Sequence, residues 1–535
     1  MKNAECRVQN SDRRIALLVC ILHSAFCIPS LAGSRAEATH AAVATGSPYA
    51  TQIGLRVLQG GGNAADTSVA IAFALAVAKP QHAGIGGGGF LTYYDAASRG
   101  VWTLDFREVS PAAAKSVSAK GAGAAAVPGT VAGLAALHER FGKKKWEELV
   151  APAIALARDG VKVDFELAGA IKAANAFPNE KLALGGALVQ SDLASTLERI
   201  AVSGAREFYD GETARRIVDD SKASGGLFSL RDLREYKPIW RAPIRIGYRG
   251  VEVYTVAPPS AGGLMIASML KILSGFDLKA TGFQTPATLH LTTEAERRAA
   301  IDRDKYLGDP AVARIPLREL LSDERAAQWR ASINPKRVTP TSTLAEPAGA
   351  VAESPHTAHF TVVDAEGNVA AVTVSLGDDF GSGFVVPACG FVLNNAMKDF
   401  ATNAVSPNAA GGAKRMASPL SPTIVLRDGK PFLALGTSGG NAIPSVIASI
   451  LVNVIVHNQS LDDAVAASRY DQQATPEEIA FEFGRAPRPT LDALIALGHG
   501  VRQTEALGDV QAVMIDRGKL IAVSDPRHGG AAGAF

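Results

Sequence analysis

Two hydroxyl groups in the C-terminal part of the chain are candidates for nucleophilic chemistry. Ser438 is the centre of Gly436-Thr437-Ser438-Gly439-Gly440, which fits G-x-S-x-G and lies between a predicted strand and a predicted helix. Asp509 and His528 follow it in the order that a serine triad requires. Thr357 opens a segment of alternating polarity, where a threonine is ordinary because β-branched side chains fit a pleated sheet. From these residues alone, a nucleophile elbow at Ser438 is one hypothesis.

Metal and cofactor chemistry finds little support in the sequence. The ten histidines show no H-E-x-x-H and no Cys/His spacing of ligand type, so no metal site is expected. Gly84 to Gly89 formally satisfies G-x-G-x-x-G, but a helix precedes this run and a strand follows it. A dinucleotide site has the reverse order, so close backbone packing is the better prediction, and no cofactor is expected.

The elements that must position these residues follow from local patterns. Thr357 begins a predicted β-hairpin that turns at Ala365 to Asn368, a Gly/Asn turn between two alternating runs. Asn63 caps a buried apolar helix over residues 64–78. The other predicted elements are helices over 49–58 and 444–456, strands over 90–94, 102–108 and 432–435, and a mostly helical stretch over 134–301.

A longer pattern begins at Thr357 and continues well beyond the hairpin. It reads Thr357, His359, Phe360, the hairpin, Phe380 to Gly383, Leu393-Asn394-Asn395 and then Asp399-Phe400. This order resembles the γ-glutamyltranspeptidase family of N-terminal nucleophile hydrolases. Further matching segments are Asp105 to Glu108, Lys414 to Pro422, Gly436 to Gly440 and Ser524 to Arg527. The resemblance covers most of the chain from about Ser47 onward.

The resemblance implies both a fold and a maturation step. The fold is α+β, a four-layered αββα sandwich of the N-terminal nucleophile hydrolase type, with a helix-rich large-subunit portion. Family members cut their own precursor before a threonine, which here places the cleavage site between His356 and Thr357. Residues 33–356 would form the large subunit and residues 357–535 the small subunit of one intertwined fold.

The same resemblance implies roles for individual residues. Thr357 would be the nucleophile, with its own freed α-amine as the base. The other expected site residues are Ser375 beside that amine, Gly439 and Gly440 in the oxyanion hole, Arg107 and Ser418 at the substrate's α-carboxylate, and Asp399 at its ammonium. The expected substrate is glutathione or a related γ-glutamyl amide, and the acyl acceptor is water or an amino acid.

Several positions depart from the family pattern and keep other functions open. Gly377 and Ala396 stand where the family has asparagine and glutamine, and Pro419 replaces a serine. Residues 402–413 are too few to form the lid of some relatives. The alternatives are a glutaryl or cephalosporin-type acylase on the same fold, a processed but inactive binding protein, and the Ser438 serine hydrolase.

Composition and the N-terminus bear on partners and location. The formal net charge of the 535-residue chain is +2 without a basic block, so no nucleic-acid partner is expected. Lys2, Arg13 and Arg14 precede an apolar run, and small residues follow it, which predicts a secretory signal peptide over residues 1–32. The mature protein would be exported, to the periplasm in a Gram-negative source, without a membrane span. Cys389 alone would remain, so no internal disulfide is expected.

Overall fold

The structure is a computed structural model that describes residues 34–174, 182–344 and 356–535. The predicted signal peptide, residues 1–32, lies outside the described residues. No helix in the described part of the chain combines the length and the apolar character needed to cross a membrane.

Two seven-stranded sheets form the centre of the molecule. The first sheet contains, in spatial order, Ala531–Ala534, Ala42–Thr45, Ala358–Val363, Val369–Ser375, Gly88–Asp95, Gly100–Phe106 and Ile239–Arg241. The second sheet contains, in spatial order, Arg35–Ala38, Lys519–Ser524, Gln511–Asp516, Lys430–Gly436, Thr423–Arg427, Val251–Thr255 and Ile244–Tyr248. Within both sheets every pair of neighbouring strands is antiparallel.

Helices cover the outer faces of both sheets. The α-helices are Pro48–Gln59, Ala64–Ala78, Thr130–Phe141, Trp146–Asp159, Phe165–Ala174, Ser191–Ser203, Ala205–Asp210, Glu212–Ala223, Leu230–Glu235, Ala261–Leu273, Leu278–Thr281, Pro286–Tyr306, Leu317–Leu320, Asp323–Ala331, Ile443–Ile455, Leu461–Ala466 and Arg488–Ala496. Short 3₁₀ turns lie at Ala122–Ala124, Thr341–Thr343, Ala396–Asp399 and Gly440–Ala442. Small strands pair outside the two sheets at Tyr470–Asp471, Glu478–Glu482 and Gly500–Thr504, and at Val161–Lys162 and Ala187–Leu188.

Three apolar layers hold these elements together. One packs the first sheet against helices that include Ala64–Ala78, and another packs the second sheet against helices that include Ala261–Leu273 and Ile443–Ile455. Between the sheets lies a thinner layer with many small side chains, including Ala44, Ala371 and Ala434. This arrangement confirms the predicted αββα sandwich, since each sheet buries one face on helices and the other on its partner sheet.

Most local predictions near the site are confirmed. Asn63 caps the helix Ala64–Ala78, accepting a hydrogen bond from the Asp66 N–H at 3.0 Å, and every residue of the helix is buried. The predicted hairpin has strands at Ala358–Val363 and Val369–Ser375. The glycine run packs closely: an added Cβ at Gly87 would lie 2.2 Å from the carbonyl oxygen of the neighbouring strand.

The largest departure from the helical prediction over 134–301 lies between residues 239 and 255. Ile239–Arg241, Ile244–Tyr248 and Val251–Thr255 are strands, and they complete one edge of each sheet. The last two show alternating burial, which is the period of a sheet with one covered face. The predicted strand over 102–108 ends at Phe106, so that Arg107 and Glu108 lie just past it.

The two sheets approach each other closely at His359. A Cβ added to Gly436, which ends a strand of the second sheet, would lie 2.3 Å from the Cε1 atom of the His359 ring. The buried ring contacts two threonine hydroxyls of its own sheet, Thr373 at 2.8 Å and Thr361 at 3.1 Å. Burial lowers the pKa of His359 to about 3, so the ring is neutral in the folded protein.

The low pKa of His359 predicts a specific loss of stability in acid. The unfolded state binds this proton below about pH 6.5 and the folded state only below about pH 3, so stability falls as the pH drops through that window. Between pH 7 and pH 5, His359 should account for a loss of about 2 kcal/mol in the free energy of unfolding. Denaturant unfolding at the two pH values measures it. The free energy of unfolding of His359→Gln should depend less on pH than that of the unmodified protein. His40→Gln, which changes an exposed histidine, should keep the pH dependence of the unmodified protein. An unchanged dependence in His359→Gln would contradict the assignment.

Candidate active site

Thr357 lies directly before the first strand of the hairpin. Ala358 pairs with Val374, so the register places Thr357 opposite Ser375. Both side chains are buried, and the Thr357 hydroxyl donates to Ser375 Oγ at 3.2 Å. Ser375 in turn donates to the carbonyl oxygen of His356 at 3.2 Å, and the Gly377 N–H donates to Ser375 Oγ at 3.0 Å. The structure thus joins Thr357, Ser375 and the carbonyl before Thr357 in one hydrogen-bonded chain.

Arg107 and Asp399 come from distant segments and form a buried ion pair. One guanidinium nitrogen of Arg107 lies 2.5 Å from Asp399 Oδ2, and another lies 3.0 Å from Glu108 Oε2. The backbone of Arg107 is held as well, since Tyr236 donates to its carbonyl at 2.9 Å. Burial raises the pKa of Glu108, and the adjacent Arg107 charge opposes that rise.

Lys398 is a charged neighbour of this ion pair that the sequence analysis missed. Its Nζ lies 3.2 Å from Asp399 Oδ1 and 3.4 Å from Asp378 Oδ1, and its side chain is mostly buried. Asp378 and Asn395 are linked by a 2.7 Å hydrogen bond. Asp399 therefore has a cation against each of its two oxygens. The sequence shows only that Lys398 directly precedes Asp399. Adjacency along the chain does not predict where a lysine side chain points.

Asp399 and Ser418 line the same cavity. Its other lining residues include Arg303, Asn408, Pro419 and Asn441. Ser418 is held by its backbone, because its N–H donates to Pro259 and its carbonyl accepts from Ala261. The Ser418 Oγ accepts from the Leu420 N–H at 3.3 Å. The structure thus brings together Arg107, Asp399 and Ser418, the three residues expected to contact substrate.

Gly439 and Gly440 form the turn between the strand Lys430–Gly436 and the helix Ile443–Ile455. Both have positive φ angles, 127° and 55°, which favour glycine. Among the residues that the structure describes, neither backbone N–H donates a hydrogen bond. Two unpaired N–H groups at a strand-to-helix turn can stabilise a developing negative charge on oxygen.

The contacts of His528 and Asp509 do not support the elbow hypothesis at Ser438. Within the described ranges, no hydrogen bond joins Ser438 to His528. The His528 ring instead contacts the Gly508 carbonyl at 3.2 Å and lies 3.7 Å from Glu166. Asp509 accepts from Gln511 at 2.7 Å rather than from His528. The three residues follow the right order in the sequence but do not form a triad.

The two departures from the family pattern have distinct structural settings. Ala396 is fully buried in an apolar cluster with Met397, Phe400 and Met416. Gly377 has φ of 94°, and an added Cβ would lie 2.0 Å from Asn395 Oδ1. Neither position would accept a polar side chain without rearrangement of its neighbours.

Comparison with known proteins identifies the family. The family model described as Gamma-glutamyltranspeptidase matches residues 50–535. The chain belongs to the γ-glutamyltranspeptidase family. It is therefore an enzyme of the N-terminal nucleophile hydrolase type, as the resemblance implied.

Individual relatives and solved structures align over most of the chain. The "Glutathione hydrolase proenzyme" of Pseudomonas aeruginosa is 38% identical over 526 residues, covering 91% of this chain and 93% of the relative. The protein of the same name from Escherichia coli K12 is 37% identical, covering 91% and 90%. A crystal structure of cephalosporin acylase from Bacillus halodurans superposes with a TM-score of 0.86 at 27% identity, covering 96% of this chain and 98% of that one.

The contact between Gly436 and His359 predicts that a substitution at Gly436 lowers both the stability and the activity of this enzyme. Gly436→Ala would push a methyl group into the His359 ring and displace the turn at Gly439. Overpacking of this kind costs about 1–3 kcal/mol of stability, and a displaced turn should lower kcat/KM by about 10- to 100-fold. Thermal unfolding and the rate with an acyl-anilide donor measure both effects.

Gly247 provides a matched control in the same sheet. It lies within the strand Ile244–Tyr248, and an added Cβ there would meet no atom within 4 Å. Gly247→Ala should leave both stability and kcat/KM nearly unchanged. Equal effects of the two substitutions would contradict the assigned role of the sheet contact.

Proposed function

We propose that this chain is a self-processing acyltransferase and hydrolase that uses Thr357 as its nucleophile on γ-glutamyl amides. The observation that carries the proposal is the hydrogen-bonded chain from the Thr357 hydroxyl through Ser375 to the His356 carbonyl. It connects the proposed nucleophile to the carbonyl it would attack first. We also propose that residues 1–32 direct export and are removed.

The first proposed reaction is cleavage of the chain itself. Thr357 Oγ attacks the carbonyl carbon of His356, the peptide C–N bond breaks, and an ester forms while the nitrogen becomes the free α-amine of Thr357. The Ser375 hydroxyl, which donates to that carbonyl, supports the developing negative charge on its oxygen. Water then hydrolyses the ester, leaving residues 33–356 and 357–535 as two associated subunits.

The second proposed reaction uses the freed amine. It takes the proton from Thr357 Oγ as this oxygen attacks the donor's amide carbon, and the N–H groups of Gly439 and Gly440 stabilise the oxyanion. The amine leaving group departs with a proton, and an acyl-enzyme ester remains. Water or an amino acid then attacks this ester and regenerates Thr357.

Substrate recognition is proposed for the buried ion pair and the cavity beside it. Arg107 offers a planar guanidinium that suits the α-carboxylate of a γ-glutamyl group, together with Ser418. Asp399 would hold the α-ammonium. The relatives named glutathione hydrolase proenzyme support glutathione as a donor.

Self-cleavage is the first test of the proposal. The purified chain should separate into two bands on a denaturing gel, and N-terminal sequencing of the smaller band should begin at Thr357. Thr357→Ala should leave a single uncut band because the attacking oxygen is gone. Ser375→Ala should cleave at least tenfold more slowly, since hydrogen bonds to a developing charge contribute about 1.5–3 kcal/mol.

Ser438→Ala serves as the control for the rival nucleophile. It should be cleaved and should retain turnover, because Ser438 has no part in the proposed reaction. A normally cleaved Ser438→Ala protein without activity would contradict the proposal, as would a small band that begins at another residue.

One observation favours a second candidate function, an acylase for donors without an α-ammonium. Lys398 Nζ already lies 3.2 Å from Asp399 Oδ1, where it supplies the positive charge that a γ-glutamyl ammonium would otherwise provide. A second ammonium at the same carboxylate meets repulsion between like charges. A glutaryl group has the carboxylate and lacks the ammonium, so it avoids that repulsion. The similarity to the cephalosporin acylase of Bacillus halodurans supports this candidate.

The donor preference should therefore depend on Lys398. If the acylase candidate holds, kcat/KM for glutaryl-p-nitroanilide should equal or exceed that for γ-glutamyl-p-nitroanilide in the unmodified enzyme. Lys398→Met should shift the ratio toward the γ-glutamyl donor by about tenfold or more, since one charged hydrogen bond contributes about 1.5–3 kcal/mol. The measurement is kcat/KM for both anilides on both proteins.

Lys430→Met is the control for the loss of a lysine. Lys430 is exposed at the start of its strand, so this variant should keep the donor ratio of the unmodified enzyme. A strong γ-glutamyl preference that Lys398→Met leaves unchanged would rule out the acylase candidate and leave glutathione as the donor.

A further inference from the structure

Three side chains with metal-binding groups converge beside the bond between His356 and Thr357. His82 Nε2 and His356 Nδ1 each lie 3.1 Å from the same oxygen of Asp379, Oδ1. One ligand atom from each residue lies within 4.8 Å of the other two. Tetrahedral zinc with bonds of about 2.0–2.2 Å holds its ligand atoms about 3.3–3.6 Å apart. The two distances to Asp379 Oδ1, both 3.1 Å, are close to this value.

The contacts to Asp379 do not have the geometry of hydrogen bonds. Asp379 Oδ1 is buried and accepts no hydrogen bond within the described part of the chain, although two imidazole nitrogens lie 3.1 Å away. A buried carboxylate oxygen without a hydrogen bond is unusual and calls for a water or an ion. A cation between the oxygen and the two nitrogens would give the Asp379 oxygen the partner that it lacks among the described residues.

The surroundings of His82 match those of a ligating histidine. Its second ring nitrogen, Nδ1, lies 3.8 Å from Glu166 Oε1, so a carboxylate stands behind the imidazole. Lys79 is ion-paired with Glu166 and keeps this carboxylate in place. Metal-bound histidines commonly have such a carboxylate behind the ring, where it orients the imidazole and raises its basicity.

We propose that His82, His356 and Asp379 bind a divalent transition-metal ion, with Zn²⁺ as the favoured ion, in the uncleaved chain. Two imidazoles and one carboxylate leave a further position open for water, and this donor set suits zinc. The sequence does not predict this site, because it contains no closely spaced set of ligands. These three ligands come from separate segments of the chain.

The position of the site couples metal binding to maturation, and this second part rests on the proposed cleavage before Thr357. His356 is the residue on the amino side of that bond, and Asp379 lies on the carboxyl side. Cleavage makes His356 a chain end and releases it from its fixed place in the site. A metal that holds His356 in place opposes the movement of the His356 carbonyl during attack by Thr357, so bound metal should stabilise the uncleaved chain relative to the transition state and slow cleavage.

Zinc binding is tested on the full-length Thr357→Ala chain. Competition with a chromophoric chelator should show one tightly bound equivalent of Zn²⁺, and Co²⁺ should give visible absorption bands of a protein-bound ion. His82→Gln and Asp379→Asn should each weaken binding at least tenfold, with circular dichroism confirming that both are folded. His40→Gln, which removes an exposed histidine, should bind as the parent does. Absence of binding, or equal affinity in all variants, would overturn the site.

The coupling is tested on the chain with Thr357 intact. Added Zn²⁺ should slow the appearance of the two fragments at least tenfold, and His82→Gln should abolish this slowing. Zinc binding without any effect on the cleavage rate would overturn the coupling and leave the site standing. A chain that is never cut, even in the presence of a chelator, would overturn the proposed function, while the binding measurement would still decide the site.

Discussion

The site depends on one contact, the close packing of the His359 ring against Gly436. His359 lies in the first sheet, two residues after Thr357, and Gly436 ends a strand of the second sheet just before the turn at Gly439. With any larger residue at position 436 the sheets could not approach this closely. The contact therefore sets where the hydroxyl of one sheet lies relative to the free N–H groups of the other.

Buried charge is the second constraint on this region. Arg107, Lys398, Asp399 and Glu108 lie close together just past the end of the strand Gly100–Phe106, away from most solvent. Removing one charge from water costs several kcal/mol, and only close pairing offsets that cost. The pairing keeps these groups in fixed positions, and it means that any charged substrate competes with partners that the protein already supplies.

Features that depend on local pattern could be predicted from the sequence. The hairpin follows from alternation around a Gly/Asn turn, and its register places Ser375 opposite Thr357. The buried helix after Asn63 follows from its cap and its apolar run. The order of motifs pointed to Arg107, Asp399 and Ser418. What could not be predicted depends on packing between distant segments: the orientation of Lys398 and the meeting of His82 with Asp379. No spacing rule along a chain contains that information.

The strand order affects how the protein can refold after it has been cleaved. In the first sheet, Ala42–Thr45 lies between Ala531–Ala534 and Ala358–Val363, so segments from both sides of residue 357 alternate within one hydrogen-bonded ladder. Such a ladder assembles readily from a single chain. Once that chain is divided, reassembly of two separated pieces becomes bimolecular and depends on their concentration. A processed molecule that unfolds therefore refolds poorly. Its working lifetime is set by the rate of its first unfolding.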